Sequence, residues 1–163
     1  MTSYGPPGIR QVRIEPSVEP PEGVGDWKEL NTFYSQFTFR TMTVGPKAPP
    51  QTFVPLEFLN YLISLVYDSR QQGWVREAKE AKKLLQDLLK AKRRLEAGDP
   101  GKARSALKEF LERVKHEGCR GFHCPKGKAL TSEAYALLYF NGKFLQAKLP
   151  KPPGDRDDDR DDD

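Results

Sequence analysis

Two cysteines and two histidines that lie close together are the residues of this chain best suited to chemistry. Cys119 and Cys124 are separated by four residues, His123 directly precedes the second cysteine, and His116 lies three residues before the first. A tetrahedral zinc site needs four such ligands, commonly as Cys-x2-Cys pairs on tight turns. The glycine-containing Cys-x4-Cys loop also suits a disulfide, which persists only in an oxidising compartment. Three interpretations stay open: a Cys119–Cys124 disulfide, a metal site formed by all four residues, or two free thiols.

Common catalytic motifs are missing from the sequence. It contains no glycine-rich phosphate loop, no Gly-x-Ser-x-Gly turn and no His-Glu-x-x-His pair. The aspartate-rich segment 155–163 lacks the glycine and the terminal glutamate of an EF-hand loop. We therefore predict that the protein is not an enzyme and requires no cofactor.

Basic residues are concentrated in the middle of the chain. The net charge of the 163 residues is +4, but residues 75–128 hold sixteen Lys/Arg against eight Asp/Glu. Cations on one helix face can neutralise phosphates and release counterions, which would make this a nucleic-acid-associated protein. Interspersed glutamates are equally typical of an ordinary solvated helix face. The candidate face consists of Lys79, Lys82, Lys83, Lys90, Arg93 and Arg94.

Residues 55–149 show the three-to-four-residue apolar spacing of amphipathic helices. The pattern predicts a helix beginning at Pro55 and a second over 74–97. A third begins at Asp99 and Pro100, and a fourth is capped by Thr131 and interrupted at Asn141-Gly142. The short turns favour a small antiparallel four-helix bundle, so the predicted class is mainly α.

The two ends of the chain differ from this helical region. Residues 1–50 hold eight of the fourteen prolines and are predicted to form an extended arm with a strand near 36–44 and a weaker one at 11–14. Such a strand can pair with a strand of a protein partner or neighbouring subunit, with Phe37, Phe39 and Met42 as candidate contacts. Residues 150–163 are acidic, have no apolar residue after Pro153, and are predicted to be a disordered tail.

Several runs within residues 56–149 resemble the FIMAH-type domain found at the C-terminal end of secreted multidomain bacterial proteins. They include Leu-Leu-Lys-Ala-Lys-Arg-Arg-Leu-Glu-Ala-Gly-Asp at 88–99, the spacing of Ala103, Leu107, Phe110 and Val114, and Gly-Lys-Ala-Leu-Thr at 127–131. The resemblance implies a helical, non-catalytic spacer or interaction module in an extracellular or cell-envelope setting. The cysteine-containing stretch 117–125 departs from the family, which has a short turn there.

Localisation follows from the resemblance more than from targeting signals. The longest apolar run, 58–67, is far below the roughly 20 residues of a membrane span. No secretory signal is visible at the N-terminus, which favours a cytoplasmic protein as the alternative, or a chain that is part of a longer one.

Overall fold

The structure is a computed structural model that describes residues 5–14, 26–48, 52–120 and 124–151. It confirms the mainly helical class, although these residues contain five helices and not the predicted four. The predicted acidic tail, which follows Lys151, lies outside the described residues. The candidate ligand His123 also lies outside them. The elements in chain order are β1 (Pro7–Ile14), α1 (Trp27–Phe37), β2 (Phe39–Pro46), α2 (Pro55–Gln71), α3 (Ala78–Glu96), α4 (Pro100–Glu117) and α5 (Ser132–Lys148).

Four of the helices, α2 to α5, share one hydrophobic core. Helix α2 contacts α3 and α5, and α4 contacts the same two helices. The antiparallel bundle stays a prediction for the arrangement of all four. The largest fully buried side chains come from every helix of this group and include Leu59, Leu62, Leu84, Leu88, Leu107, Phe110, Leu137 and Leu145.

Local signals at the helix ends are confirmed. Pro55 lies in the first turn of α2, where its missing N–H leaves no helical hydrogen bond unmade. The Asp99 carboxylate accepts a hydrogen bond from the Lys102 amide (3.0 Å) and caps α4. Gly98 has a φ of 72°, the left-handed conformation that ends α3.

Helix α3 begins later than predicted. The prediction started the helix at Trp74, whereas α3 begins at Ala78. The preceding residues pair instead with the loop before α5: Val75 forms an isolated bridge to Leu130, and the Thr131 amide donates to the Trp74 carbonyl (2.9 Å). These long-range backbone hydrogen bonds replace the first helical turn.

The predicted interruption at Asn141-Gly142 is wrong, because α5 runs unbroken from Ser132 to Lys148. A Cβ atom at Gly142 would lie 2.8 Å from Leu111 Cδ2, so the glycine lets α5 approach α4 closely. Close packing offsets the conformational cost of glycine within a helix.

The N-terminal arm is less extended than predicted. The predicted strand near 36–44 runs over Phe39–Pro46, and Gln36 and Phe37 belong to helix α1. Residues 22–45 contain no proline, which leaves room for a helix, and the Asp26 carboxylate caps it by accepting from the Lys28 amide (2.7 Å). The weaker strand candidate, Gln11–Ile14, is the end of β1.

Candidate interaction surface

Strands β1 and β2 form a two-stranded antiparallel sheet that packs on α5. Ile9 and Val44 lie directly opposite each other in the register and pack against the core. Asn141 of α5 donates from Nδ2 to the Pro7 carbonyl (2.8 Å) and to the Leu137 carbonyl (2.7 Å). One buried amide thus ties the sheet to the helices.

The sequence did not lead us to predict a structural role for Asn141, although its position in α5 indicated that it is buried. The residue lies four positions from both Leu137 and Leu145, on the buried side of α5. A buried amide needs hydrogen-bond partners, and the nearest helical carbonyl can satisfy only part of its capacity. Its position therefore indicated that another segment covers this helix face.

The opposite face of the sheet carries exposed apolar side chains. Ile14 and Phe39 are opposite each other in the register and are 53% and 69% exposed. Met42 is half-buried and lies on the other face of the sheet, together with Val44, which packs against the core. Because side chains alternate along a strand, the candidate contacts Phe39 and Met42 do not share a surface. The third candidate, Phe37, is the last residue of α1.

Helix α1 has no close backbone contact with another helix or strand of the described chain. Its polar residues, among them Lys28 and Ser35, line an open cleft together with Arg13 and Arg40 of the sheet. Trp27, at the start of the helix, is 84% exposed. The arm therefore presents large apolar side chains both on α1 and on the outer face of the sheet.

The two cysteine thiols lie side by side in the loop between α4 and α5. Cys119 is buried and Cys124 is half-buried, and both are reduced thiols in the structure. A hydrogen bond with the Cys119 thiol raises the pKa of Cys124, and burial raises it further. The Cys119 amide donates to the Leu130 carbonyl (3.2 Å), which anchors the loop beside α5.

Of the three candidate metal ligands that the structure describes, it brings the two cysteines together. His116 is an exposed residue whose Nδ1 lies 2.9 Å from Glu117 Oε1. Across the described ranges, no group of three or more histidine, cysteine or acidic residues is arranged to hold a metal ion. The disulfide remains a prediction.

The basic candidate face on α3 is partly neutralised by ion pairs. Lys83 pairs with Glu80 (2.9 Å) and Lys90 with Glu109 (2.7 Å). The other four candidates, Lys79, Lys82, Arg93 and Arg94, form no ion pair with an acidic residue of the described chain.

A partly buried ion-pair group joins α3 to α4. Arg113 Nε donates to Asp87 Oδ2 (2.7 Å), and Arg113 Nη1 lies 3.9 Å from Glu80 Oε1. The Glu80 side chain is only 5% exposed, and its Oε1 accepts no hydrogen bond from the described residues. The Asp87 hydrogen bond raises the pKa of Arg113, so the guanidinium stays charged beside Asp87, while Lys83 (2.9 Å) is the nearer cation of Glu80.

Comparison with known proteins identifies one family. The FIMAH domain model matches residues 59–139, which run from the second turn of α2 into the middle of α5. No curated protein and no solved structure matches the chain. No helix in the described part of the chain is long and apolar enough to cross a membrane. Residues 59–139 of this chain therefore form a FIMAH-type domain.

Proposed function

We propose that this protein is a non-catalytic accessory module of a secreted or cell-envelope assembly and contacts a protein partner through its N-terminal arm. Family membership supports an accessory role. The observation that carries the proposal is the exposed apolar pair Ile14 and Phe39 on the sheet, with Trp27 exposed on α1, a helix that has no close backbone contact with another described element. Neighbouring exposed apolar side chains mark interaction sites more often than isolated ones do.

The sheet supplies a second means of contact. β1 and β2 pair only with each other among the described strands, so each has an edge to which a partner strand can add. Main-chain hydrogen bonds along such an edge provide affinity, and side chains such as Phe39 provide specificity. The partner of this proposal is therefore a protein with an exposed strand edge and an apolar groove.

Photo-crosslinking in the native source tests this role. A photoreactive amino acid replaces Phe39 in one variant and Tyr67 in another. Tyr67 is a matched control because it is 55% exposed but lies on α2. We expect one protein to be captured at position 39 and not at position 67, and Trp27→Ser to reduce that capture. Equal capture at both positions, or at neither, would contradict arm-mediated contact.

A second candidate function is polyanion binding by α3, favoured by its four cations without an acidic partner. Because such binding releases counterions, its affinity must fall steeply with salt. A gel-shift titration with duplex DNA at low and moderate ionic strength checks this. Absence of a salt-dependent shift at low ionic strength would exclude it.

A further inference from the structure

The surplus charge of α3 lies on the outward side of that helix. Lys79, Lys82 and Arg93 recur at spacings of three and eleven residues, which places them within one narrow stripe. The buried residues of α3, such as Leu84 and Leu88, lie on the opposite side. We call these three cations the α3 stripe. It extends over roughly 21 Å, at 1.5 Å per helical residue.

Internal ion pairs leave the α3 stripe uncompensated. Residues 78–117 contain twelve Lys/Arg and seven Asp/Glu, a net charge of +5. Six of the seven acidic side chains lie within 4 Å of a Lys or Arg nitrogen of the same segment, and the seventh, Glu117, lies 2.9 Å from His116 at the far end of α4. No described acidic group thus remains in this segment to neutralise the stripe.

A segment of opposite charge follows α5 at the end of the helical region where α3 also ends. Residues 152–163 contain seven aspartates and two arginines, a net charge of −5. Arg104 Nη1, in the second turn of α4, donates to the Leu149 carbonyl (3.0 Å), so the chain leaves α5 beside the start of α4. The Lys90–Glu109 and Arg113–Asp87 contacts make α3 and α4 antiparallel, which brings the end of α3 near the start of α4. The described chain therefore ends on the same end of the helical region as Arg93, separated from α3 by the neighbouring helix.

The reach of this segment is sufficient. Twelve residues after Lys151 span at most about 40 Å when extended, enough to pass the neighbouring helix, at interaxial distances of about 8–10 Å, and to lie along much of the roughly 21 Å stripe. With no apolar residue after Pro153, electrostatic attraction is the interaction this segment has to offer. Opposite charges held on one chain also have a high effective concentration.

We propose that residues 155–163 bind in cis to the α3 stripe and compete there with external polyanions. The occupant is the chain's own acidic segment, whose net charge of −5 is opposite in sign to the three cations of the stripe. Contact is dynamic and electrostatic, because aspartates and long cationic side chains on a surface form weak, salt-screened pairs. The inference is independent of partner contact through the arm.

The test compares the full chain with a variant of equal length in which the seven aspartates of 155–163 are changed to asparagine. We expect the NMR signals of the α3 amides from Lys79 to Arg94 to shift between the two proteins at 20 mM salt. The differences should disappear at about 500 mM salt, where the Debye length is only a few ångströms. Unchanged α3 signals, or shifts confined to another surface, would overturn the proposal.

Competition is tested separately with inorganic polyphosphate as the probe. The asparagine variant should bind it about 10-fold more tightly than the full chain at low salt. Adding Lys79→Gln, Lys82→Gln and Arg93→Gln should remove that gain. A matched control, Lys126→Gln, Lys143→Gln and Lys148→Gln, makes the same charge change outside α3 and should retain most of it. Equal affinity of the full chain and the asparagine variant would refute competition.

Discussion

Asn141 is the residue on which docking of the N-terminal sheet depends most. Its side chain donates to Pro7 and Leu137 in a fully buried position. Asn141→Ala leaves the Pro7 carbonyl without this donor, and such a loss costs about 1–3 kcal/mol. We expect that decrease in the free energy of unfolding by urea, together with faster proteolysis of the arm.

Asn60→Ala is the matched control for this change. Asn60 is exposed on α2, so the same substitution removes an amide without uncovering a buried group. Its unfolding free energy should stay within about 0.5 kcal/mol of the parent protein. If both variants were equally stable, the Asn141–Pro7 hydrogen bond would not hold the sheet in place.

The cysteine pair permits a pH prediction for the reduced protein. The pKa of Cys124 is raised, so less of this thiol is ionised near neutral pH than in an ordinary cysteine. Since the thiolate is the reactive form, we expect alkylation of Cys124 to be slower than that of a free cysteine at pH 8. Its rate should increase with pH until the raised pKa is passed. The rate is measured by quenching the alkylation at a series of times and quantifying the modified peptide by mass spectrometry.

An oxidation experiment distinguishes a Cys119–Cys124 disulfide from a metal site and from two unmodified thiols. Disulfide formation joins the two sulfur atoms and passes two electrons and two protons to an oxidant such as a small disulfide, which becomes two thiols. We expect a protein prepared under oxidising conditions to have no free thiol, with Cys119 and Cys124 linked in one peptide. Bound zinc that keeps both cysteines unreactive until chelation would contradict the disulfide prediction.

Among pairs of elements, α3 and α4 are joined by the most buried charges. Arg113→Met leaves the largely buried Asp87 carboxylate without its hydrogen-bonded cation, whereas Glu80 keeps Lys83. Breaking such a pair from one side is strongly destabilising, and we expect a loss of at least about 2 kcal/mol. Thermal or urea unfolding measures the change.

A control and a rescue variant make this prediction specific. Lys108→Met removes a cation from an exposed position on the same helix and should have little effect on stability. Adding Asp87→Asn to Arg113→Met removes the carboxylate that has lost its cation and should recover part of the lost stability. A double variant less stable than Arg113→Met would mean that Asp87 stabilises the fold by another interaction.

The same elements show which features could be predicted from sequence. Pro55, Asp99 and Thr131 act on their own helix ends through local hydrogen bonds or geometry, so these starts were correctly predicted. The start of α3 was wrong because Val75 pairs with Leu130, a residue distant in sequence. The helix break predicted at Asn141-Gly142 was wrong because both residues are explained by other elements. Asn141 donates a hydrogen bond to Pro7, and Gly142 packs closely against Leu111.

For the candidate surfaces too, residue types could be predicted from the sequence, whereas pairing and placement depend on the fold. The cations of α3 were identified from composition, but the pairing of Lys83 and Lys90 with glutamates depends on packing and geometry. Phe39 and Met42 were grouped by residue type, whereas the register of β2 with β1 places them on opposite faces. Exposure of Trp27 was not predicted, because the proline-rich composition concealed α1.

At the scale of the whole molecule, the chain has regions of unequal stability. Helices α2 to α5 share the buried core, the sheet is attached to α5, and α1 has no close backbone contact with another described element. Isolated helices shorter than about 12–15 residues are marginal in water, and α1 has 11 residues. The element proposed to meet a partner therefore has the least internal support.

Native-state hydrogen exchange should resolve this order. We expect the amides of α1 to exchange almost as fast as those of an unfolded peptide, the β1–β2 amides more slowly, and the core amides of α2 to α5 most slowly. Asn141→Ala should accelerate exchange in the sheet and leave the slowest class in α4 nearly unchanged, since it releases the arm without opening the core. Partner binding should protect α1 selectively, because a helix that folds on its target gains there the contacts it lacks alone. Protection of α1 equal to that of α5 in the free protein would mean that α1 is already packed, and would remove the physical basis for the arm as a contact surface.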